Sequence, residues 1–258
     1  MRENPSDKSE MVNQILFGEI YEILRADIKF SLVKLNHDGY EGWICNKQVT
    51  NIEEQEYINL KNEISSVTTD IIDIVDGDEK FPILMGSILP SLKSNHCFIN
   101  NQAYEFSGNY TQGFSDIKMV TKNAYSFLNT PYLWGGRTVF GIDCSGFTQL
   151  IYRMNGIKIY RDAKDQIKNG RFIDNFSDAK AGDLAFFVNE NGLVTHVGIM
   201  LSNSKIIHSS GKVRIDSIDE NGIYDTKKGT YTHKFKKLKR IIENKNKFKF
   251  LKLLNHEK

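Results

Sequence analysis

The sequence has few cysteines, little net charge and no long apolar segment, and each of these absences excludes a class of protein. Its three cysteines, Cys45, Cys97 and Cys144, are odd in number and far apart, so no disulfide framework is implied. This pattern is compatible with a protein of a reducing compartment. The net charge of +2 gives no reason to expect a nucleic-acid partner. No apolar run approaches transmembrane length, so we expect no membrane span.

Residues 1–8 also lack the apolar h-region of a secretory signal. We therefore expect a cytoplasmic location, or a periplasmic or secreted one if a signal was removed before Met1. A hydrophobic content of 40% and a charged content of 26% are those of an ordinary soluble protein, which we expect to be a monomer. The chain of 258 residues has room for more than one domain.

Cys144 is the main candidate for chemistry. It follows the glycine-rich stretch Tyr132-Leu133-Trp134-Gly135-Gly136 by a few residues. After it, apolar residues recur at helical spacing until Gly156, at Phe147, Leu150, Ile151 and Met154. Cys144 is thus predicted to begin a helix, where unpaired backbone N–H groups and the helix dipole favour a thiolate nucleophile.

Two downstream histidines could serve that nucleophile. Residues 193–201 and 205–211 are typical of two successive strands joined by a turn at Ser202. A hairpin centred on Ser202 would place His196 and His208 opposite each other on one face, whereas a slip of one residue would separate them. A thiolate, a base and a polar residue that orients the base form the triad of a cysteine peptidase.

Two alternatives for these residues are structural or metal-binding. Cys144 alone could be a small buried packing residue, as we expect for Cys45 and Cys97. Zinc could bind Cys144, His196 and His208, but no metal-spaced cysteine pair or HExxH motif is present, so we expect no metal and no cofactor. The remaining histidines form no evident constellation and are expected on the surface or in loops: His37, His96, His233 and His256.

Several motifs in order resemble the catalytic domain of the bacterial NlpC-type cysteine peptidases, from about Phe114 to Ile242. They are YLWGG (132–136), GIDCSGF (141–147), RDA (161–163), AGDLAFF (181–187), THVGI (195–199) and IIHSSG (206–211). The resemblance implies an α+β, papain-like domain in which a helix bearing the cysteine packs on an antiparallel sheet. It assigns Cys144 as the nucleophile, His196 as the base, held as an imidazolium in an ion pair, and His208 as the orienting residue.

The N-terminal half is predicted to consist of short strands. The string DGYEGWI (38–44) resembles the core of bacterial SH3-like domains, and a second set of strands between residues 66 and 110 resembles a degenerate SH3-like barrel without the Gly-Trp pair. A helix over 52–61 would link the two barrels. We therefore predict four segments: a first barrel at 1–62, a second at 63–112, a peptidase domain at 113–242 and a basic tail at 243–258.

The resemblance also implies a substrate. Relatives with SH3-like barrels cut the γ-D-Glu–diamino acid bond of murein stem peptides that carry a free N-terminal L-Ala. The resemblance also implies that Asp143, Glu19 and Tyr40 bind the substrate ammonium, although Asp143 could be a helix cap alone. The other residues expected to contact substrate are Tyr132, Trp134 and Ser145.

Other functions stay open at the level of sequence. The same fold could perform amidase or acyl-transfer chemistry, or the chain could be a non-catalytic cell-wall-binding protein. The third residue of the stem peptide could be diaminopimelate or lysine. The basic tail could touch a membrane surface or a partner helix, or be a solvated terminus.

Overall fold

A computed structural model describes residues 1–242, and its first unit is a three-stranded antiparallel sheet. The strands are β1 (Tyr21–Ala26), β2 (Phe30–Leu35) and β3 (Glu41–Cys45), in that order across the sheet. Gly39 has a positive φ of 74° in the β2–β3 turn, a conformation that glycine adopts without strain. Val33, Leu35 and Trp43 are buried as its core, which confirms the short strands predicted for this segment.

A helix and two small sheets follow. The elements are α1 (Glu54–Asn62), β4 (Ser66–Thr68), β5 (Ile72–Asp76), β6 (Lys80–Leu84), β7 (Ile88–Leu89), β8 (His96–Ile99), β9 (Gln102–Phe106) and β10 (Tyr110–Gln112). One sheet has the order β10-β4-β7 and the other β6-β5-β9-β8. The predicted linker helix is confirmed, and Cys97 is fully buried in this unit's core, as expected for a packing residue. An SH3-like topology for this unit stays a prediction, as do the domain boundaries.

The third unit is built on a seven-stranded antiparallel sheet. Its elements are α2 (Ile117–Tyr125), β11 (Arg137–Thr138), β12 (Gly141–Ile142), α3 (Cys144–Met154), α4 (Ala163–Gln166), β13 (Arg171–Ile173), β14 (Leu184–Val188), β15 (Val194–Met200), β16 (Lys205–Ser210), β17 (Lys212–Asp219), β18 (Gly222–Asp225) and β19 (Thr230–Arg240). The sheet order is β13-β19-β14-β15-β16-β17-β18, and β18 also pairs with β19, so the sheet curls back on itself.

Helix α3 packs on this sheet at β15 and β16. Its apolar residues Phe147, Leu150 and Ile151 are completely buried in the largest core cluster of the protein. Burial of several large side chains contributes roughly 1.5–3 kcal/mol each, which fixes the helix against the strands. The predicted α+β class, with a cysteine-bearing helix on an antiparallel sheet, is therefore confirmed.

Among residues 1–242, no helix is long and apolar enough to cross a membrane. The predicted basic tail at 243–258, which includes His256, lies outside the described residues.

Candidate active site

Cys144 is the first residue of α3, as the sequence predicts, and Asp143 caps the helix. The Asp143 carboxylate accepts hydrogen bonds from the backbone N–H of Gly146 (2.6 Å) and of Gly135 (2.9 Å). One carboxylate thus joins the glycine-rich loop to the helix start. The Cys144 side chain is only 6% exposed, and the backbone N–H of Val197 on β15 donates to its sulfur. This contact places the thiol beside the strand residue that follows His196.

The two predicted histidines come together, but in a different register from the one expected. Ile199 pairs with Ile207, so the hairpin is centred on Asn203 and not on Ser202. Gly198, rather than His196, consequently lies opposite His208, and a Cβ on Gly198 would lie 2.8 Å from that of His208. The shift of two residues keeps both imidazoles on one face, as predicted, because side chains alternate with a period of two.

The histidines are neighbours on a diagonal of the sheet and are hydrogen bonded. Nε2 of His196 and Nδ1 of His208 are 2.8 Å apart, and both side chains are buried. This bond occupies Nε2 of His196 and leaves Nδ1 for the thiol. The arrangement matches the expected roles of base and orienting residue.

Asp216 and His233 were not predicted, and both lie in this cluster. Nε2 of His208 is 2.9 Å from Oδ2 of Asp216 on β17. The ring of His233 on β19 stacks on His196, with centroids 4.2 Å apart and an interplanar angle of 29°. The expectation that His233 belongs to no constellation was therefore wrong. Its strand lies far along the chain, and nothing in the local sequence indicates that β19 returns beside β14.

Burial controls the charges of Cys144 and His196, the predicted nucleophile and base. Burial raises the pKa of Cys144 to about 12, and the nearby Asp143 charge adds to the effect. Burial, together with His208 and His233, holds the pKa of His196 well below its usual range. The resting site therefore favours a neutral thiol and a neutral imidazole. The ion pair expected from the helix dipole and the family resemblance is not favoured here, because the charge of Arg161 and the backbone hydrogen bonds of Val197 and Ser145 do not offset the desolvation of the thiol.

Asp143 and Ser145 belong to a buried network around Arg161. The Arg161 guanidinium forms a two-pronged pair with Asp143, at 2.6 and 3.0 Å, and also donates to Oγ of Ser145 at 2.9 Å. Its Nε donates to Oδ1 of Asn13 in the N-terminal segment. Asp143 is therefore a cap and an ion-pair partner, and Ser145 is a buried member of the same network. Contact of either residue with substrate stays a prediction.

Tyr40 reaches the same region from the β2–β3 turn. Burial raises the pKa of its phenol to about 12, and the carboxylates of Asp162 and Asp143 add to the shift. Tyr132 is also close to Cys144, since burial and the charges of Cys144 and Asp143 raise its pKa. The first unit of the chain thus contributes Tyr40 to the surroundings of the peptidase residues.

Glu19 lies elsewhere. Its carboxylate is buried and pairs with Arg137 at 3.0 Å and with Arg153, and it accepts from the backbone N–H of Leu16 at 2.6 Å. Burial would raise its pKa, but the two guanidinium charges and that hydrogen bond hold it at about 2. These partners already neutralise the carboxylate, so the expected role of Glu19 in binding a substrate ammonium is not supported. Arg153 lies within the apolar helix pattern, and a buried arginine there requires a carboxylate partner, which is the one sequence feature that could have predicted this pairing.

Trp134 is 59% exposed and precedes Gly135, whose backbone N–H donates to Asp143, which suits a wall of a substrate groove. Its indole N–H donates to Oε1 of Glu10, another residue of the N-terminal segment that sequence reasoning missed. Within residues 1–242, no group of three or more His, Cys, Asp or Glu side chains is arranged to hold a metal ion, so the geometry gives the zinc alternative no support.

Comparison with protein families finds two matches in this chain. Residues 129–231 match the NlpC/P60 family, and residues 1–49 match the bacterial dipeptidyl-peptidase Sh3 domain. The first range contains the thiol and both histidines of the site. The second contains β1 to β3, so the prediction of an SH3-like first unit is confirmed.

Individual relatives match over most of the chain. The gamma-D-glutamyl-L-lysine dipeptidyl-peptidase of Bacillus subtilis strain 168 is 30% identical over 76% of this chain and 71% of its own length. Dipeptidyl-peptidase 6 of Lysinibacillus sphaericus is 27% identical over 84% of this chain and 87% of its own. The crystal structure of an NlpC/P60 family protein from Bacillus cereus ATCC 10987 superposes with a TM-score of 0.76, at 25% identity, over 90% of this chain and 82% of that one.

Proposed function

The chain belongs to the NlpC/P60 family and is a cysteine peptidase, and from this premise we propose that it hydrolyses the γ-D-Glu–diamino acid bond of murein stem peptides with a free N-terminal L-Ala. The observation that carries the proposal is the 2.8 Å bond between His196 and His208 beside the thiol of Cys144. Relatives whose names specify γ-D-glutamyl-L-lysine cleavage support the peptidoglycan substrate.

The reaction begins from the neutral pair. Nδ1 of His196 accepts the thiol proton as the Cys144 sulfur bonds to the γ-carbonyl carbon of D-Glu. The backbone N–H of Cys144, at the helix start, is the natural donor to the oxyanion. The imidazolium of His196 then protonates the leaving amine of the diamino acid, and the C–N bond breaks. Water, deprotonated by His196, hydrolyses the thioester and restores the thiol.

Recognition of the substrate ammonium is proposed for Tyr40, Asp143 and Asp162. The Asp143 carboxylate already binds Arg161, so its negative charge is largely neutralised. Asp162 is more weakly paired, with the exposed Lys164 at 3.7 Å, although the charge of Arg161 also acts on it. Its carboxylate and the Tyr40 phenol oxygen can accept from an ammonium, while Asp143 supplies longer-range attraction.

Lysine is proposed as the first candidate for the third residue, because two relatives at 30% identity are named for γ-D-glutamyl-L-lysine. The side-chain amine of lysine and the carboxylated side chain of diaminopimelate differ by one charge. A site that contacts the end of this side chain would therefore discriminate between the two residues.

The requirement for a free amine is tested with two peptides, L-Ala-γ-D-Glu-L-Lys and its N-acetyl form. Acetylation removes the charge that the carboxylates attract, so kcat/KM should fall at least about 100-fold, as when one partner of a buried polar contact is lost. The rate of lysine release, followed by chromatography, measures the effect.

A matched pair of variants locates the amine site. Asp162→Asn should lower kcat/KM for the free peptide and leave the slow turnover of the acetyl peptide unchanged. Asp174→Asn, at an exposed carboxylate, should change neither rate. Equal turnover of the free and acetylated peptides would contradict the proposed amine recognition.

A further inference from the structure

Three polar side chains form a diagonal row across β15, β16 and β17. His208 lies opposite Arg214, so Asp216, two residues further on, occupies the same face as a diagonal neighbour of His208. His196 has the same relation to His208 on the other side, since Gly198 lies opposite His208. Diagonal neighbours on one face are within reach of long and ring-shaped side chains. The sheet register therefore places a carboxylate behind the two histidines.

The hydrogen bonds of this row fix where the protons reside. A carboxylate accepts, so Nε2 of His208, 2.9 Å from Oδ2 of Asp216, carries a proton. A neutral His208 then has a bare Nδ1, which accepts from Nε2–H of His196 over 2.8 Å. His196 is consequently left with a bare Nδ1, the tautomer that can take the thiol proton.

From this geometry we propose that Asp216 is a positioning residue of the peptidase, which holds His208 and through it His196 in the tautomers needed for proton transfer. The inference rests on the proposed function, because it concerns the same thiol and histidines. Asp216 touches neither the thiol nor the cleft residues named above, so it acts through His208.

The surroundings keep Asp216 ionised. Arg214 donates to its second oxygen at 2.7 Å and reaches Asp225 of β18 at 3.3 Å. Burial would raise the pKa of Asp216, but its hydrogen bonds from His208 and Arg214 keep it below the usual range. The groups that face His208 are thus His196 from β15, Arg214 and Asp216 from β17, and His233 from β19. When His196 becomes an imidazolium, the Asp216 carboxylate is available as a counter-charge.

The test uses Asp216→Asn, which keeps the shape and removes the charge, and Asp219→Asn as the control. Asp219 lies on the same strand but bonds to Tyr231 and Asn221, away from the histidines. We expect Asp216→Asn to lower kcat about 10- to 100-fold with KM within about twofold, as for loss of an outer-shell partner. Asp219→Asn should match the wild type in both.

Two readouts do not need the peptide. ¹⁵N NMR of the wild-type imidazoles should show protonated Nε2 and bare Nδ1 in both His196 and His208, assigned with His196→Gln and His208→Gln. In Asp216→Asn this single tautomer should be lost, and alkylation of Cys144 by iodoacetamide should slow at least about fivefold. Asp216→Glu, which retains a carboxylate, should keep part of the wild-type tautomer population. If Asp216→Asn does not fold, this variant tests whether the carboxylate at position 216 fixes the tautomers.

The outcomes separate this proposal from the proposed function. Wild-type tautomers and wild-type alkylation in folded Asp216→Asn would overturn the role of Asp216, whatever the peptide substrate. Altered tautomers and slow alkylation, together with no cleavage of any stem peptide by the wild type, would uphold Asp216 and contradict the substrate instead.

Discussion

At the scale of single residues, the adjacent Asp143 and Cys144 perform different tasks. Cys144 is the proposed nucleophile at the helix start, whereas Asp143 connects that start to the glycine-rich loop and to Arg161. The sequence predicts both positions, because a helix start and a cap are local features. The Arg161 pair could not be predicted from spacing, since it depends on how the segment around 161 folds back over the helix.

Cys144→Ala should abolish peptide cleavage and leave the fold intact. The substitution removes only a sulfur from a buried site, so the free energy of unfolding should change by less than about 1.5 kcal/mol. Product formation and thermal unfolding measure the two effects. Retained cleavage would show that another group is the nucleophile.

Arg161→Ala should destabilise the protein by about 3–5 kcal/mol, because it leaves the buried Asp143 carboxylate without its ion-pair partner. Denaturant unfolding gives the free-energy difference. The control is Lys164→Ala, whose amine is largely exposed and whose loss should cost less than about 0.5 kcal/mol. Similar effects for the two variants would contradict the buried network.

At the scale of elements, the sequence predicts which face the histidines share but not their offset. Alternation along β15 and β16 sets the face, whereas the centre of the turn sets the register, and the polar run 202–204 offers several centres. The observed centre at Asn203 makes His196 and His208 diagonal neighbours. Asp216 was missed for the same reason, since its place beside His208 depends on a second register, that of β16 with β17.

Gly198→Ala tests this register. A Cβ there would lie 2.7 Å from Cδ1 of Ile206 and 2.8 Å from Cβ of His208, so the histidine must move. We expect a loss of about 1–3 kcal/mol in stability from overcrowding and a fall in kcat of at least about tenfold. Thr195→Ala, an exposed change on the same strand, should have little effect on either. A fully active Gly198→Ala enzyme would argue against the observed pairing.

At the scale of the whole molecule, the N-terminal unit is joined to the peptidase unit by buried and partly buried polar contacts. Glu19 pairs with Arg137 and Arg153, Asn13 accepts from Arg161, and Asp38 accepts from Gln149 of α3. The sequence predicts an SH3-like unit and a peptidase unit, each from its own motifs. The resemblance assigns Glu19 to the substrate, whereas its pairing with the two arginines could not be predicted, because a contact between two units leaves no periodic pattern in either.

The Glu19 ion pairs should make the free energy of unfolding depend on pH in the acidic range. Its pKa is depressed to about 2 from 4.5, so its contribution is complete above about pH 4.5 and is lost as pH falls towards 2. Glu19→Gln should therefore cost about 3 kcal/mol near neutral pH, and the difference from wild type should shrink below about pH 4.5. Urea unfolding at a series of pH values measures this, with Glu22→Gln as an exposed control. A pH-independent difference would contradict the buried pairing.

The enzyme is proposed to cut the γ-D-Glu–diamino acid bond of the stem peptide. Mass spectrometry of L-Ala-γ-D-Glu-L-Lys incubated with the protein tests it most directly, with Cys144→Ala as the matched control. We predict the dipeptide L-Ala-D-Glu and free lysine from the wild type and intact tripeptide from the variant. The same incubation is made with the diaminopimelate peptide. Release of L-Ala would contradict the proposed bond. So would two intact peptides after incubation with a wild-type protein whose Cys144 thiol still reacts with iodoacetamide.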